Sequence, residues 1–385
     1  MSRSREWYPD RTLAALMAVG IANHVLLSGA RVAVSLDALA RGASAALVGL
    51  LMALFALLPM LLAIHAGRLA DRAGVRRPML WGTAGGIAAM LLPAVWPGLP
   101  ALFAASLLAG VSFMLFQVPA QRAVGDLGEA DERAANYSWY ALGFSVSGFA
   151  GPLIAGFAID HLGFRAAFAL LAVLPALALA ALARRLVRLP APRAHDEEAR
   201  PTGMFDLLRH PVLRRLFALN ALFALGWDLH TVFIPIYGTR IGLAASEIGA
   251  ILAAFAAATF VVRLAVPWFG AGWAPMGVLR VALFVAAAVY LALPFTASTL
   301  ALAALSFVLG LGLGIGQPVV MSQLHEHAPP GRVGETVGLR MSLIQTMAVS
   351  VPLVFGALGT TVGLVPVFAS VGVFLGLGGI AARRR

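Results

Sequence analysis

Stretches of predominantly apolar residues, each long enough to cross a bilayer, follow one another along this chain with only short polar breaks. A hydrocarbon core about 30 Å thick requires about 20 apolar residues at the helical rise of about 1.5 Å per residue. Such stretches fall at 12–36, 45–65, 78–95, 100–119, 136–160 and 165–183, and again at 212–236, 245–267, 277–294, 298–321, 336–358 and 361–381. Only 12% of the residues are charged and 61% are hydrophobic, whereas soluble domains carry about 25% charged residues. A single cleaved signal peptide cannot account for twelve such stretches. The expected fold class is therefore an all-α membrane protein with twelve transmembrane helices and the lipid bilayer as its solvent.

Charge then orients the helices. Every basic residue is arginine and the formal net charge is +11, a balance that in a soluble protein suggests nucleic acid. Nucleic-acid binders gather their charge in one patch or stripe, however, and here the arginines occupy alternate loops. With the N-terminus inside, Arg3, Arg5, Arg11, the cluster from Arg68 to Arg77, Arg122, Arg133, Arg332 and Arg383 to Arg385 all fall on the cytoplasmic side. The opposite side keeps only Arg41, Arg165 and Arg240. This bias predicts a multi-pass protein of a bacterial inner membrane with both termini cytoplasmic, and no nucleic-acid partner. The chain has no cysteine, which excludes disulfides, thiolate metal sites and thiol nucleophiles. No metal site, cofactor or catalytic residue is expected.

Residues 184–210 are too polar to span: they contain Pro190, Pro192, Pro201 and the run Asp196, Glu197, Glu198. The segment reads as a cytoplasmic linker between an N-terminal bundle, 1–183, and a C-terminal bundle, 211–385, of six helices each. The two bundles repeat one another in a single register, residue n against residue n + 200. Matches include Gly42/Gly242, Gly49/Gly249, Phe55/Phe255, Ser106/Ser306, Gly110/Gly310, Gln117/Gln317, Pro152/Pro352, Gly156/Gly356, Gly163/Gly363 and Phe168/Phe368. Alanine and leucine coincidences are cheap in this composition, but glycine, proline and glutamine matches in one register are not. Six helices per repeat give both repeats the same orientation, the arrangement of two halves rocking about a central site.

The loop between the second and third stretches reads Gly67-Arg68-Leu69-Ala70-Asp71-Arg72-Ala73-Gly74-Val75-Arg76-Arg77. In this loop the sequence resembles the major facilitator superfamily, with Val75 where a basic residue is usual. The resemblance implies a cytoplasmic gate motif made of Gly67, Asp71, Arg72, Gly74, Arg76 and Arg77, with Asp71 against the helix that begins near Thr336. In the fifth stretch, Ser147, Gly151, Pro152, Ala155 and Gly156 are similar to the antiporter motif of that family, with serine and alanine replacing two glycines. Small residues four apart also allow close helix packing in lipid, so Gly151, Pro152 and Gly156 fit either role. The nearest resemblance is to the bacterial drug and metabolite antiporters.

Polar residues inside the spans mark a path, because a charge at mid-bilayer costs about 2.5 to 3.5 kcal/mol even on lenient scales. His24 and Arg31 stand seven residues apart on one face of the first helix, with Ser28 between them. On the seventh helix Asp228 and His230 diverge by about 200°, so only one of them can face a given cavity, and Asp228 is the expected inward residue. An Arg31 to Asp228 ion pair closing the outer gate is the specific expectation; an Arg31 that snorkels alone is the alternative. His24 has a reference pKa of about 6.5, suited to carrying protons. Gln117 and Gln317 occupy matching places near the inner ends of the fourth and tenth helices. Arg263, Arg280 and Arg340 lie near cytoplasmic ends and are expected to snorkel, and His325, Glu326 and His327 to be a solvated loop.

The resemblance implies a monomeric secondary transporter that moves a small organic solute by alternating access. Coupling to protons or another ion is expected, with export by antiport favoured. The alternative is an uptake carrier for an organic anion such as a carboxylate, which a cationic first helix would suit. More distant is a membrane receptor that binds without transport. The apolar spans hold no convergent catalytic constellation, so an enzyme is not expected.

Overall fold

The computed structural model describes residues 11–127, 133–189, 204–269, 274–329 and 332–382; the side chains of 63–73, 133–135, 204–205, 266–269 and 333–334 lie outside that description. The chain is all-α. Its helices are α1 (Arg11–Ala40), α2 (Ala45–Ala73), α3 (Arg76–Val95), α4 (Leu99–Gly125), α5 (Arg133–Ala183), α6 (Pro211–Arg240), α7 (Ala245–Phe269), α8 (Pro275–Ala292), α9 (Thr299–His327), α10 (Val333–Thr361) and α11 (Leu364–Ala381). No strand occurs among the described residues.

Eleven helices among the described residues are long and apolar enough to cross a membrane, yet they make twelve spans. The apolar part of α5 runs for 48 residues, or about 72 Å, more than twice the hydrocarbon thickness. It is broken at Gly163, with φ 78° and ψ 170°, a region open in practice to glycine alone. Its repeat equivalent Gly363, at φ 87° and ψ 174°, separates α10 from α11. One backbone device therefore turns the chain in both halves, and α5 consists of two arms.

The register of 200 extends to hydrogen bonds. Gly42 (φ 81°) donates to Leu39 O at 2.9 Å and Ala43 to Ala38 O at 3.0 Å; Gly242 (φ 81°) donates to Thr239 O at 3.1 Å and Leu243 to Gly238 O at 2.9 Å. The start of α3 is fixed to the end of α5 by Arg76 Nη2, which donates to Val187 O at 2.8 Å. Leu13, Leu16, Met79 and Leu182 share one buried cluster at this level. Arg215 at the start of α6 donates to the Ala382 carbonyl beyond α11. The first and last described residues therefore share one end of the bundle, called here the termini end.

The opposite, far end is where the repeats meet. There α2 packs on α10 and α5 on α7, through pairs already matched by the repeat. Gly49 lies against the Pro352 carbonyl and Gly356 Cα, and Gly249 against the Pro152 carbonyl and Gly156 Cα. The main-chain amides of Ala245 and Ser246 donate to Asp160 Oδ1 and Oδ2 at 3.0 and 2.7 Å. In the equivalent place Ala46 N donates to Thr360 Oγ1 at 2.9 Å. Free helix N-terminal amides are thus satisfied by the other repeat, once by a carboxylate and once by a hydroxyl.

One expectation changes with these boundaries. His325, Glu326 and His327 are not loop residues but the last turn of α9, where His327 Nδ1 lies 3.0 Å from Gln323 O. Polar residues end an apolar stretch without ending a helix, since the backbone bonds continue past the lipid.

Candidate functional site

Four polar clusters lie on the helices of the two repeats. The first joins α1 to α5. His24 Nδ1 lies 2.6 Å from Ser147 Oγ, and Ser28 Oγ is within 3.0 Å of Ser147 O and 2.8 Å of His24 O. The His24 ring meets Phe144 edge-on at 4.6 Å and Phe113 at 5.5 Å. Ser147 Oγ also lies 3.1 Å from Gly143 O. A serine has a single proton, so when it donates to that carbonyl, His24 donates through Nδ1 and keeps Nε2 as a proton acceptor.

The second cluster joins α1 to α6 across the repeats. Arg31 is half-buried and Asp228 buried, on the mutually packed helices α1 and α6. No nitrogen of Arg31 lies within 4.0 Å of an Asp228 oxygen. The expected ion pair is therefore not formed in this conformation. His230 diverges from Asp228 as the helical spacing requires. Its Nε2 lies 2.9 Å from Ser306 Oγ on α9, its ring stacks on Phe255 at 4.4 Å, and its Nδ1 is buried without a hydrogen-bond partner among the described residues.

The third and fourth clusters hold one glutamine each, towards the termini end. Tyr140 Oη donates to Gln117 Oε1 at 3.2 Å. In the second repeat Arg340, on α10, donates from Nη2 to Gln317 Oε1 and from Nε to Asn220 Oδ1 at 3.0 Å. Arg340 does not snorkel: it is buried, because its face of α10 turns towards α6 and α9. Arg263 is half-buried and donates to Ser145 Oγ of the other repeat at 3.1 Å.

Sequence reasoning missed Tyr140, Ser147, Asn220 and Arg340 as members of these clusters. The repeat register held a usable signal, since Tyr140 and Arg340 are equivalents, as are Gln117 and Gln317. Of the gate motif, Gly74 ends α2 at φ 70°, Arg76 holds α5, and Arg77 is exposed; the side chains of Gly67, Asp71 and Arg72 lie outside the described residues. Thr336 is buried in the first turn of α10. Gly151, Pro152 and Gly156 are packing residues in this conformation, with Gly151 against Ser28 and Gly29 of α1. A groove of about 730 Å³ between α8 and α9 is lined by apolar side chains such as Val281 and Val308, both exposed on the bundle surface. It contains none of the polar residues above and faces the surroundings of the bundle.

A sequence model of the Major Facilitator Superfamily matches residues 16–352. The chain belongs to this superfamily. It is a multi-pass membrane transporter and not an enzyme. Over 110 residues, 29% of the chain, this superfamily member is 33% identical to the tetracycline resistance protein, class B, of Escherichia coli, and the match spans 27% of that relative's length. Its fold is similar to that of a peptide transporter POT solved in complex with sulfate, with a TM-score of 0.77 and 18% identity over 99% of this chain and 95% of that one. A POT family transporter in complex with 5-aminolevulinic acid gives a TM-score of 0.78 and 16% identity, over 96% and 95% of the two chains. At such identity the likeness speaks for the fold alone.

Proposed function

We propose that the protein is a monomeric, proton-coupled carrier that exports a small organic solute from a bacterial cell through the inner membrane by alternating access. The moving bodies are residues 1–183 and 211–385, joined by a cytoplasmic linker, 184–210, with both termini in the cytoplasm as the arginine bias favours. One observation carries this reading: Arg31 and Asp228, opposite charges within the spans, stand on α1 and α6, equivalent helices of the two repeats that pack on each other. A charge pair that forms and breaks between the halves gives two states of similar energy, the requirement for alternation. With the termini in the cytoplasm, the packed far-end seam supports reading this conformation as closed to the outside. His24 and Asp228 are the candidate proton carriers, with His24, Arg31, Gln117, Asp228 and Gln317 along the path. Export by antiport is favoured by the Gly151, Pro152, Gly156 pattern and by the partial likeness to a tetracycline resistance protein.

A second reading, uptake of an organic anion, is favoured by Arg263 and Arg340, which among the described residues have no carboxylate within 4.0 Å. Counterflow in liposomes, screening organic anions and cations with and without a pH gradient, decides between them. The export reading expects solute exchange that accelerates when protons flow against the solute. Solute and protons moving in the same direction favour uptake. Binding without any flux overturns both and leaves a receptor.

A further inference from the structure

The two glutamine clusters are equivalent in place and opposite in electrical character. In the first repeat Tyr140 packs against Gly20 and donates its single proton to Gln117. Two hundred residues on, Arg340 replaces the tyrosine, Asn220 the glycine, and Gln317 stands for Gln117. Arg340 is 9% exposed and Asn220 1%. Among the described residues no carboxylate oxygen lies within 4.0 Å of the guanidinium.

Its hydrogen bonds are also incomplete. A guanidinium has five N–H donors and no acceptor. One goes to Asn220 Oδ1 and one to Gln317 Oε1, while Nη1 meets only the sulfur of Met341 at 3.9 Å, a weak acceptor. Because an arginine can only donate, both amides must turn their oxygens towards it and keep their nitrogens free to donate elsewhere. Asn220 Nδ2 is buried with no hydrogen-bond partner among the described residues. The cluster is therefore a set of donors around an uncompensated cation, and both the lone charge and the orphaned amide are costly when buried. A single acceptor carrying negative charge would relieve both.

We propose that Asn220, Gln317 and Arg340 form a carboxylate-binding subsite for the anionic end of the transported solute. The planar guanidinium fork matches a two-oxygen acceptor, and one cation balances a monoanion, whereas a phosphate dianion would stay undercompensated. The subsite rests on the reading of the seam between the repeats as the solute path. It narrows the substrate to molecules bearing a carboxylate, whichever way they travel.

Thermal unfolding of the detergent-purified protein tests this with monocarboxylates, the matching primary amides, inorganic phosphate and chloride. Carboxylates are expected to raise the melting temperature and the amides not to. In Arg340→Gln the apparent affinity for carboxylates should fall about tenfold or more, the loss expected of one charge-assisted hydrogen bond. Asn220→Asp, which supplies the missing negative charge internally, should fold at least as stably as the parent and lose the response. Tyr140→Phe, in the equivalent cluster, should keep it. Equal protection by phosphate or chloride, no protection of the parent by any carboxylate, or an unchanged response in Asn220→Asp would overturn the subsite. Liposome flux keeps the two readings separate. Transport of solutes without a carboxylate, unchanged in Asn220→Asp, sinks the subsite and leaves the carrier standing; no flux of any solute sinks the carrier.

Discussion

Gly249→Ala should tilt the conformational equilibrium by a measurable amount. A Cβ at this position would lie 2.5 Å from the Pro152 carbonyl oxygen and 3.2 Å from its carbon, where ordinary contact begins at about 3.4 Å. The obstacle is backbone, not a flexible side chain, so α5 and α7 must separate by about 0.9 Å at this level. Overpacking of this kind costs about 1 to 3 kcal/mol. That cost falls only on the conformation in which the far end is closed, so its population should drop about 5- to 150-fold relative to the open one. Gly49→Ala, opposite the Pro352 carbonyl, should act in the same direction, and the double variant should exceed either. The natural absence of cysteine allows spin labels at Ala40→Cys and Arg240→Cys, exposed equivalents at the far end, without a background to remove. Electron-electron distance measurements should show a longer population in the glycine variants. A folded double variant with the parent's distance distribution would refute the claim that this seam controls closure.

The other expectations follow from single contacts. Arg31→Gln and Asp228→Asn should each impair transport, and the double variant should recover more than the worse single, with a coupling of about 0.5 to 3 kcal/mol; a double no better than that single counts against the pair. Gly163→Ala meets no atoms within 4 Å, so its cost is conformational alone, about 1 to 3 kcal/mol, and a thermal melt in detergent should fall accordingly; an unchanged melt contradicts the assignment of the turn. His24→Asn should flatten the pH dependence of transport between about pH 5 and 8, while Ser147→Ala should shift it without abolishing it; a parent-like profile in His24→Asn would remove His24 from the proton route.

Much of this architecture was legible because lipid leaves so few choices. Backbone groups in hydrocarbon must be paired internally, so each apolar stretch had to be a helix. The glycine and proline matches at a spacing of 200 were informative because they mark where backbone approaches backbone. Gly49 with Pro352 and Gly249 with Pro152 are such approaches, and they join the two repeats to one another. Depth was readable and azimuth was not. Arg340 stands seven residues after Val333, which suggested an arginine reaching for water; its side chain instead enters the triangle of α6, α9 and α10. The same gap hid Ser147 as the partner of His24, since nothing in a sequence states which neighbouring helix a face will meet. The divergence of Asp228 from His230 was predictable, because both sit on one helix and the angle is fixed by its geometry.

Alternation between two closures is the central claim, and a reversible lock across the far-end seam tests it most directly. Ala46 and Thr360 are held together by the 2.9 Å hydrogen bond between the repeats, and cysteines at both positions would be the only thiols in the protein. Oxidation of Ala46→Cys/Thr360→Cys in liposomes should stop solute flux, and a reducing agent should restore it. Undiminished flux with the cross-link complete would contradict a carrier that must open at this end.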